Sequence, residues 1–185
     1  MKLIKPAFRI LLDFFEITFI CTGVFLLIYF FVGQLLEVTG DSMYPNFHDK
    51  EQIVAEKLSI KFKELKRGEI VIFEHPMEKD RLLIKRVIGL PGETIKIENG
   101  YVFINNKQLE EKYLPEGTTT EGQNFLKEDI EHQIPNNSYV MMGDNRIKST
   151  DSREWGYVSK DLVVGRGIFV YYPLNRIRLI ENLLF

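Results

Sequence analysis

Cysteine is almost missing: Cys21 is the only one in 185 residues. No intramolecular disulfide can form, and no cysteine-rich metal cluster can be built. Histidine is scarce as well. His48, His75 and His132 are scattered, the first just past a Gly-Asp-Ser turn, the second before Pro76, the third in an irregular stretch. They offer neither a metal motif nor the base of a Ser-His-Asp triad, and a structural or surface role is expected for each. There is no glycine loop to cradle phosphate and no internal repeat. An excess of charge is missing too: 24 Lys and Arg face 26 Asp and Glu, a net charge of -2. Without a broad basic surface, nucleic acid is not expected as a partner. No cofactor and no metal are expected.

What the chain does have is a long apolar run. Ile17–Leu36 carries no charge and approaches the roughly 20 residues that cross a bilayer as a helix. Lys2, Lys5 and Arg9 precede it, and Glu37 and Asp41 follow it. The bias of positive charge predicts a cytoplasmic N-terminus, with residue 37 onward outside. A cleaved signal peptide would have a shorter apolar core and a small-x-small site, and Gly33-Gln34-Leu35 is a poor one. The expectation is an uncleaved, single-pass anchor over residues 1–36 in a cell membrane, with the lipid bilayer as a partner. An extracytoplasmic domain would then span 37–185.

That domain reads as mainly β. Short apolar or alternating runs recur at Gln52–Lys57, Glu69–Phe73, Leu82–Gly89 and Tyr139–Met142. Thr94–Ile97 and Tyr101–Ile104 flank Asn99-Gly100, a strong two-residue hairpin signal. Asp161–Arg166 and Gly167–Tyr172 supply the last strands. Residues 110–137 are polar and rich in turn formers, and a small β or irregular insertion is expected at about 96–137. The tail Ile177–Phe185 is partly apolar, and its pattern does not decide between helix and membrane contact.

Two residues are candidates for chemistry, each with a plainer reading beside it: a surface turn for Gly40-Asp41-Ser42, and an edge strand with its lysine extended to water for Lys85. Ser42 sits in Gly40-Asp41-Ser42, followed by Pro45, a turn that can present a hydroxyl rigidly. Lys85 stands in the middle of an apolar strand, on the face of Leu83 and Val87. Burial there lowers the pKa of an ammonium, and a neutral amine is a general base. Arg86 and Arg146 are expected as nearby cations. The stretch Gly143–Gly156 packs three acids, three bases and several hydroxyls together, the composition of a solvated loop or of an ordered polar network.

Three blocks in one order resemble the bacterial type I signal peptidases: Gly40–Pro45, Lys85–Gly92, and Gly143–Arg146 through Ser149, Asp151–Arg153 and Gly156. The resemblance implies an antiparallel β-sheet catalytic domain behind one transmembrane helix. It implies a serine endopeptidase that removes signal peptides after a small-x-small motif, with preproteins as substrates and export machinery nearby. By motif position Ser42 is the nucleophile and Lys85 the general base of a Ser-Lys dyad. Ser149 falls where a serine orients the amine, and Asp144, Arg146, Asp151 and Arg153 fall on a charged scaffold, with Arg86 expected to pair with Asp144. Val38, Met43, Phe47 and Ile84 fall near positions that line shallow pockets for small substrate residues. Gly40 stands where some members carry a second serine for the oxyanion. In that and in its single anchor the chain resembles the Gram-positive type. A peptidase dedicated to one partner protein, or a non-catalytic anchored β-domain binding exported chains, are the rival readings.

Overall fold

The computed structural model describes residues 4–27, 33–78 and 80–181. Helix α1 (Ile4–Leu27) has Pro6 in its first turn, where the missing N–H costs nothing. From Phe8 to Leu26 its side chains are exposed, Phe14, Phe19 and Phe25 among them. The apolar run expected as one helix over Ile17–Leu36 does not continue as helix through its end. Gly33–Glu37 is strand β1, and residues 28–32 lie outside the described residues. Gly33 disfavours helix by about 1 kcal/mol relative to alanine. As a strand the segment gains five registered positions against β2 (Gln52–Glu56), from Gly33↔Glu56 to Glu37↔Gln52. It also lays Leu36 against the core. Arg9, Asp13 and Glu16 fall within α1, and no helix among the described residues is long and apolar enough to cross a membrane.

A short helix, α2 (Ser59–Phe62), follows β2. Then come β3 (Ile70–Glu74), β4 (Leu82–Gly89), β5 (Thr94–Glu98), β6 (Tyr101–Ile104), β7 (Lys107–Gln108), β8 (His132–Gln133) and β9 (Ser138–Met142). Helix α3 (Ser152–Trp155), β10 (Val158–Ser159), β11 (Val163–Tyr172) and β12 (Arg178–Leu179) complete the chain. The fold is mainly antiparallel β. The large sheet runs β1-β2-β11-β3-β4-β9-β10, with β12 also on β11, and a smaller one runs β7-β6-β5-β8. The hairpin between β5 and β6 turns at Asn99 and Gly100, with φ of 51° and 82°, the positive pair that a type I′ turn demands. The two strands expected at 161–172 are one, β11, preceded by a 3₁₀ turn. A Cβ at Gly165 would lie 2.8 Å from the Glu56 carbonyl oxygen, so glycine lets β11 approach β2. Of the undecided tail, β12 is strand, and 182–185 lie outside the described residues.

Apolar burial falls into clusters on the two faces of the large sheet. One joins it to the smaller sheet through Ile88, Val140, Ile95 and Val102. Another lies beneath the segment after β1: Val38, Met43, Phe47, Ile53, Ile70 and Ile72. Burying each such side chain stabilises by about 1.5–3 kcal/mol. The segment bearing Ser42 is therefore nailed to the sheet from below.

Candidate active site

β1 delivers the chain into Gly40-Asp41-Ser42. Gly40 has φ of +82°, a conformation that side chains avoid, and its N–H donates to Asp49 Oδ1 at 2.7 Å. Asn145 clamps the turn from the far side: its backbone N–H donates to Ser42 O at 3.0 Å, and its Nδ2 to Asp41 O at 3.1 Å. A Cβ on Gly143 would fall inside van der Waals contact of both Ser42 O and the Ser149 side chain. Only glycine admits this approach.

Lys85 reaches the same place from β4. Its side chain is 3% exposed, and Nζ donates to Ser42 Oγ at 2.7 Å. Burial pushes its pKa down from 10.5 to about 8. Asp151 and Asp144 pull it back up, while Arg81 and Arg153 push it further down. Arg81 and Arg153 are thus the leading cations acting on the amine. Arg86 Nε and Nη2 donate to the two Asp144 oxygens at 2.8 and 2.6 Å, the pairing expected from the sequence. Arg86 Nη1 donates to Gly68 O at 2.8 Å, and its guanidinium lies 4.0 Å from the Tyr113 ring centre. Arg153 pairs in the same forked way with Asp151, at 2.9 Å on each oxygen. Asp151 also takes the Gly143 N–H at 3.0 Å. Forked, buried pairs of this kind fix orientation as well as charge.

The third pair reaches out of the block. Arg146 Nε donates to Gly143 O at 3.1 Å and Nη1 to Glu111 Oε2 at 3.1 Å, with Thr120 and the Tyr113 hydroxyl as further partners. Asp144 and Asp151 are occupied by Arg86 and Arg153, so this buried guanidinium needs a carboxylate from elsewhere. That requirement was the one signal for Glu111, and nothing marks which residue of 110–137 would supply it. Asn46 went unnoticed for the same reason. Its Nδ2 donates to Asp144 Oδ2 at 2.8 Å and to Tyr113 O at 2.9 Å. It ties the Ser42 segment to the acid that holds Arg86, next to Lys85.

A cleft of about 80 Å³ opens beside Ser42 and Lys85, between Leu36–Thr39 and Leu82–Ile84, floored by Ile53 and Ile72. Val38 and Ile84 line it. Met43 and Phe47 do not, and pack in the core below. Phe47 N–H bonds to Met43 O at 2.9 Å, and this helix-like turn sends both side chains inward together. Leu36, Ile53 and Ile72 take their place. Ser149 is buried against Gly143 but makes no hydrogen bond to Lys85 Nζ. The three histidines stand apart from this constellation; His75, for example, packs against Trp155 at 4.7 Å between ring centres.

Known proteins resemble this chain over most of its length. The model of a family described as signal peptidase, peptidase S26, matches residues 11–172. The chain is 34% identical over 155 residues to signal peptidase I of Leptolyngbya laminosa, covering 80% of this chain and 72% of that one. It is 37% identical over 159 residues to signal peptidase I S of Bacillus subtilis, covering 83% and 84%. A crystal structure of a signal peptidase I from Enterococcus faecalis is 28% identical, with a TM-score of 0.47, covering 56% of this chain and 97% of that one.

Proposed function

The chain belongs to the signal peptidase family, peptidase S26, and on that premise we propose that Ser42 and Lys85 are the nucleophile and general base with which it cuts. The family makes it a serine peptidase that removes signal peptides. The observation that carries the dyad is the 2.7 Å hydrogen bond between Lys85 Nζ and Ser42 Oγ, inside the reach a base needs. When the amine is neutral the bond reverses, and Nζ accepts the hydroxyl proton. Ser42 Oγ attacks the carbonyl of the residue preceding the cut. The Ser42 N–H, which has no acceptor among the described residues, stabilises the resulting oxyanion in place of the hydroxyl that Gly40 lacks. The lysine proton passes to the leaving amine and the mature protein departs. Water, deprotonated by the same amine, then hydrolyses the acyl ester and frees the signal peptide.

Substrate enters as an extended strand. β4 is paired with β9 only from Arg86 onward, so the Leu82–Lys85 half has one edge open to backbone hydrogen bonding. The cleft is small, about 80 Å³, which favours small side chains beside the cut. Val38 and Ile84 contact them. Asp144, Arg146, Asp151 and Arg153 act as scaffold, and Ser149 supports the site through packing at Gly143.

Helix α1 (Ile4–Leu27) forms the N-terminal anchor segment, with the β-domain from Gly33 onward and the smaller sheet as its insertion. Exposed Leu, Ile and Phe on every side of α1 suit lipid better than water, and the apolar sequence continues through Val32. Lys2, Lys5 and Arg9 keep the N-terminus cytoplasmic, with the site outside beside substrates held by their own apolar segments. The test is cleavage of a reporter preprotein by the full chain in detergent, the cut mapped by mass spectrometry. Cleavage after a small-x-small motif that vanishes in Ser42→Ala supports the reading. Cleavage that survives in Ser42→Ala refutes it.

A further inference from the structure

We propose that the turn built on α2 is a second contact with the membrane, in which Phe62 enters an anionic bilayer while Lys57, Lys61, Lys63 and Lys66 meet its phosphate headgroups. The inference rests on the reading of α1 as a bilayer anchor. Phe62 is 83% exposed and its neighbour Leu58 39%. A lone exposed Phe needs no explanation, but this one stands among four lysines, and none of their ammonium groups has an ion-pair partner among the described residues. The one acid within the turn, Glu64, is matched by Lys160 at 2.6 Å. An aromatic flanked by unpaired lysines is the side-chain set of an interfacial anchor, and its charge complements anionic lipid and not a zwitterionic surface.

The turn is mounted rigidly. Arg166, held by Glu69 at 2.8 Å, donates Nη2 to the carbonyls of Glu64 and Lys63 at 2.8 and 3.2 Å, and Nη1 to Ser59 Oγ. Glu56 takes the Ser59 N–H at 2.6 Å. Phe62 therefore cannot fold back onto the sheet, and its exposure is built in. The position is set by strand register. Glu56, three residues before α2, lies opposite Gly33. Gly33 is six residues beyond the end of α1, at most about 20 Å of extended chain. The turn thus sits at the end of the sheet from which the chain leads back to α1. A second contact there would make its own binding intramolecular and fix the tilt of the sheet, which a single tether leaves free.

The experiment uses the full chain reconstituted in phosphatidylcholine vesicles with or without phosphatidylglycerol, some with brominated acyl chains. Trp155 is the only tryptophan, so the signal of Phe62→Trp over wild type reports on position 62. Extra quenching by brominated lipid is expected in the phosphatidylglycerol vesicles. It should be lost when all four lysines are changed to Gln, and in about 1 M salt, where charges are screened beyond roughly 3 Å. The four-lysine variant should cleave a vesicle-embedded preprotein several-fold more slowly and a soluble peptide at the wild-type rate. A chain that floats with the vesicles but shows no extra quenching, or equal quenching without anionic lipid, overturns this proposal and leaves the anchor standing. A chain that does not float removes the anchor and this proposal together. An equal loss on both substrates would make the turn a fold element and also overturn it.

Discussion

At the scale of single residues, Lys85 sets the pH dependence of both activity and stability. Its folded pKa is about 8, against 10.5 for an ordinary lysine. Only the neutral amine accepts the Ser42 proton, so the single-turnover rate should rise through pH 8 and level off above it. Lys85→Arg should be inactive at every pH, and activity in that variant would make the lysine structural. Stability follows the opposite form of the group. Below pH 8 the fold must hold a buried ammonium and bears the whole cost, about 3 kcal/mol for such a shift. As pH rises from 8 to 10.5 the unfolded chain binds the extra proton, so stability increases and the cost disappears above that range. Lys85→Met should melt higher at neutral pH and lack this rise; identical melting profiles would contradict the burial argument. Gly143 is the other sensitive atom-scale position. Gly143→Ala would drive a methyl group into Ser42 O and Ser149. A displacement near 1 Å at a reacting group costs about a hundredfold in rate, so kcat should fall by roughly that factor while KM stays near wild type. A variant with unchanged kcat would show that the loop yields elsewhere.

Among elements, the segment after β1 separates packing from binding. Phe47 and Met43 belong to the core and Ile84 to the cleft, while Val38 belongs to both. Phe47→Ala should therefore cost about 3–5 kcal/mol of stability, read by denaturant melts. Ile84→Ala should cost less and instead admit larger residues beside the cut, read by a peptide series. If Phe47→Ala changed that preference with no loss of stability, the assignment would reverse. The contrast also marks what was legible beforehand. Strands with a clear period or turn signal, such as Thr94–Ile97 and Tyr101–Ile104 around Asn99-Gly100, were readable because their determinants are local. The Arg86 to Asp144 pairing was readable through the family resemblance, which put Asp144 on a charged scaffold. The boundary between α1 and β1 was not, since Leu, Ile and Val suit either state and the decision comes from β2, some twenty residues further on. The inward turn of Met43 and Phe47 was hidden for the same reason: an apolar side chain beside a nucleophile serves core or pocket equally well until the backbone turns.

On the scale of the whole molecule, the site joins two distant strands of one sheet. Ser42 arrives from β1 at one edge of the large sheet and Lys85 from β4 nearer the other. Neither strand contacts its counterpart in the ladder, so their 2.7 Å meeting depends on what spans them. The loop 143–151 and the segment 111–120 beside the smaller sheet do so, through Arg146. The polar excursion that looked like surface decoration in the sequence thus supplies the counter-ion for a guanidinium beneath the site. Glu111→Ala would leave the Arg146 charge buried with no carboxylate partner, at a cost of about 3–5 kcal/mol. Its effect should spread in a definite pattern. Hydrogen exchange should accelerate together in 111–120 and in 143–151, while β2, β3 and β11, held by their own ladders, keep their protection. Turnover should fall with it, because Gly143 O is a partner of the same guanidinium and Gly143 seats Ser42. Acceleration confined to 111–120, with turnover intact, would mean that the smaller sheet hangs from the domain without bracing its chemistry.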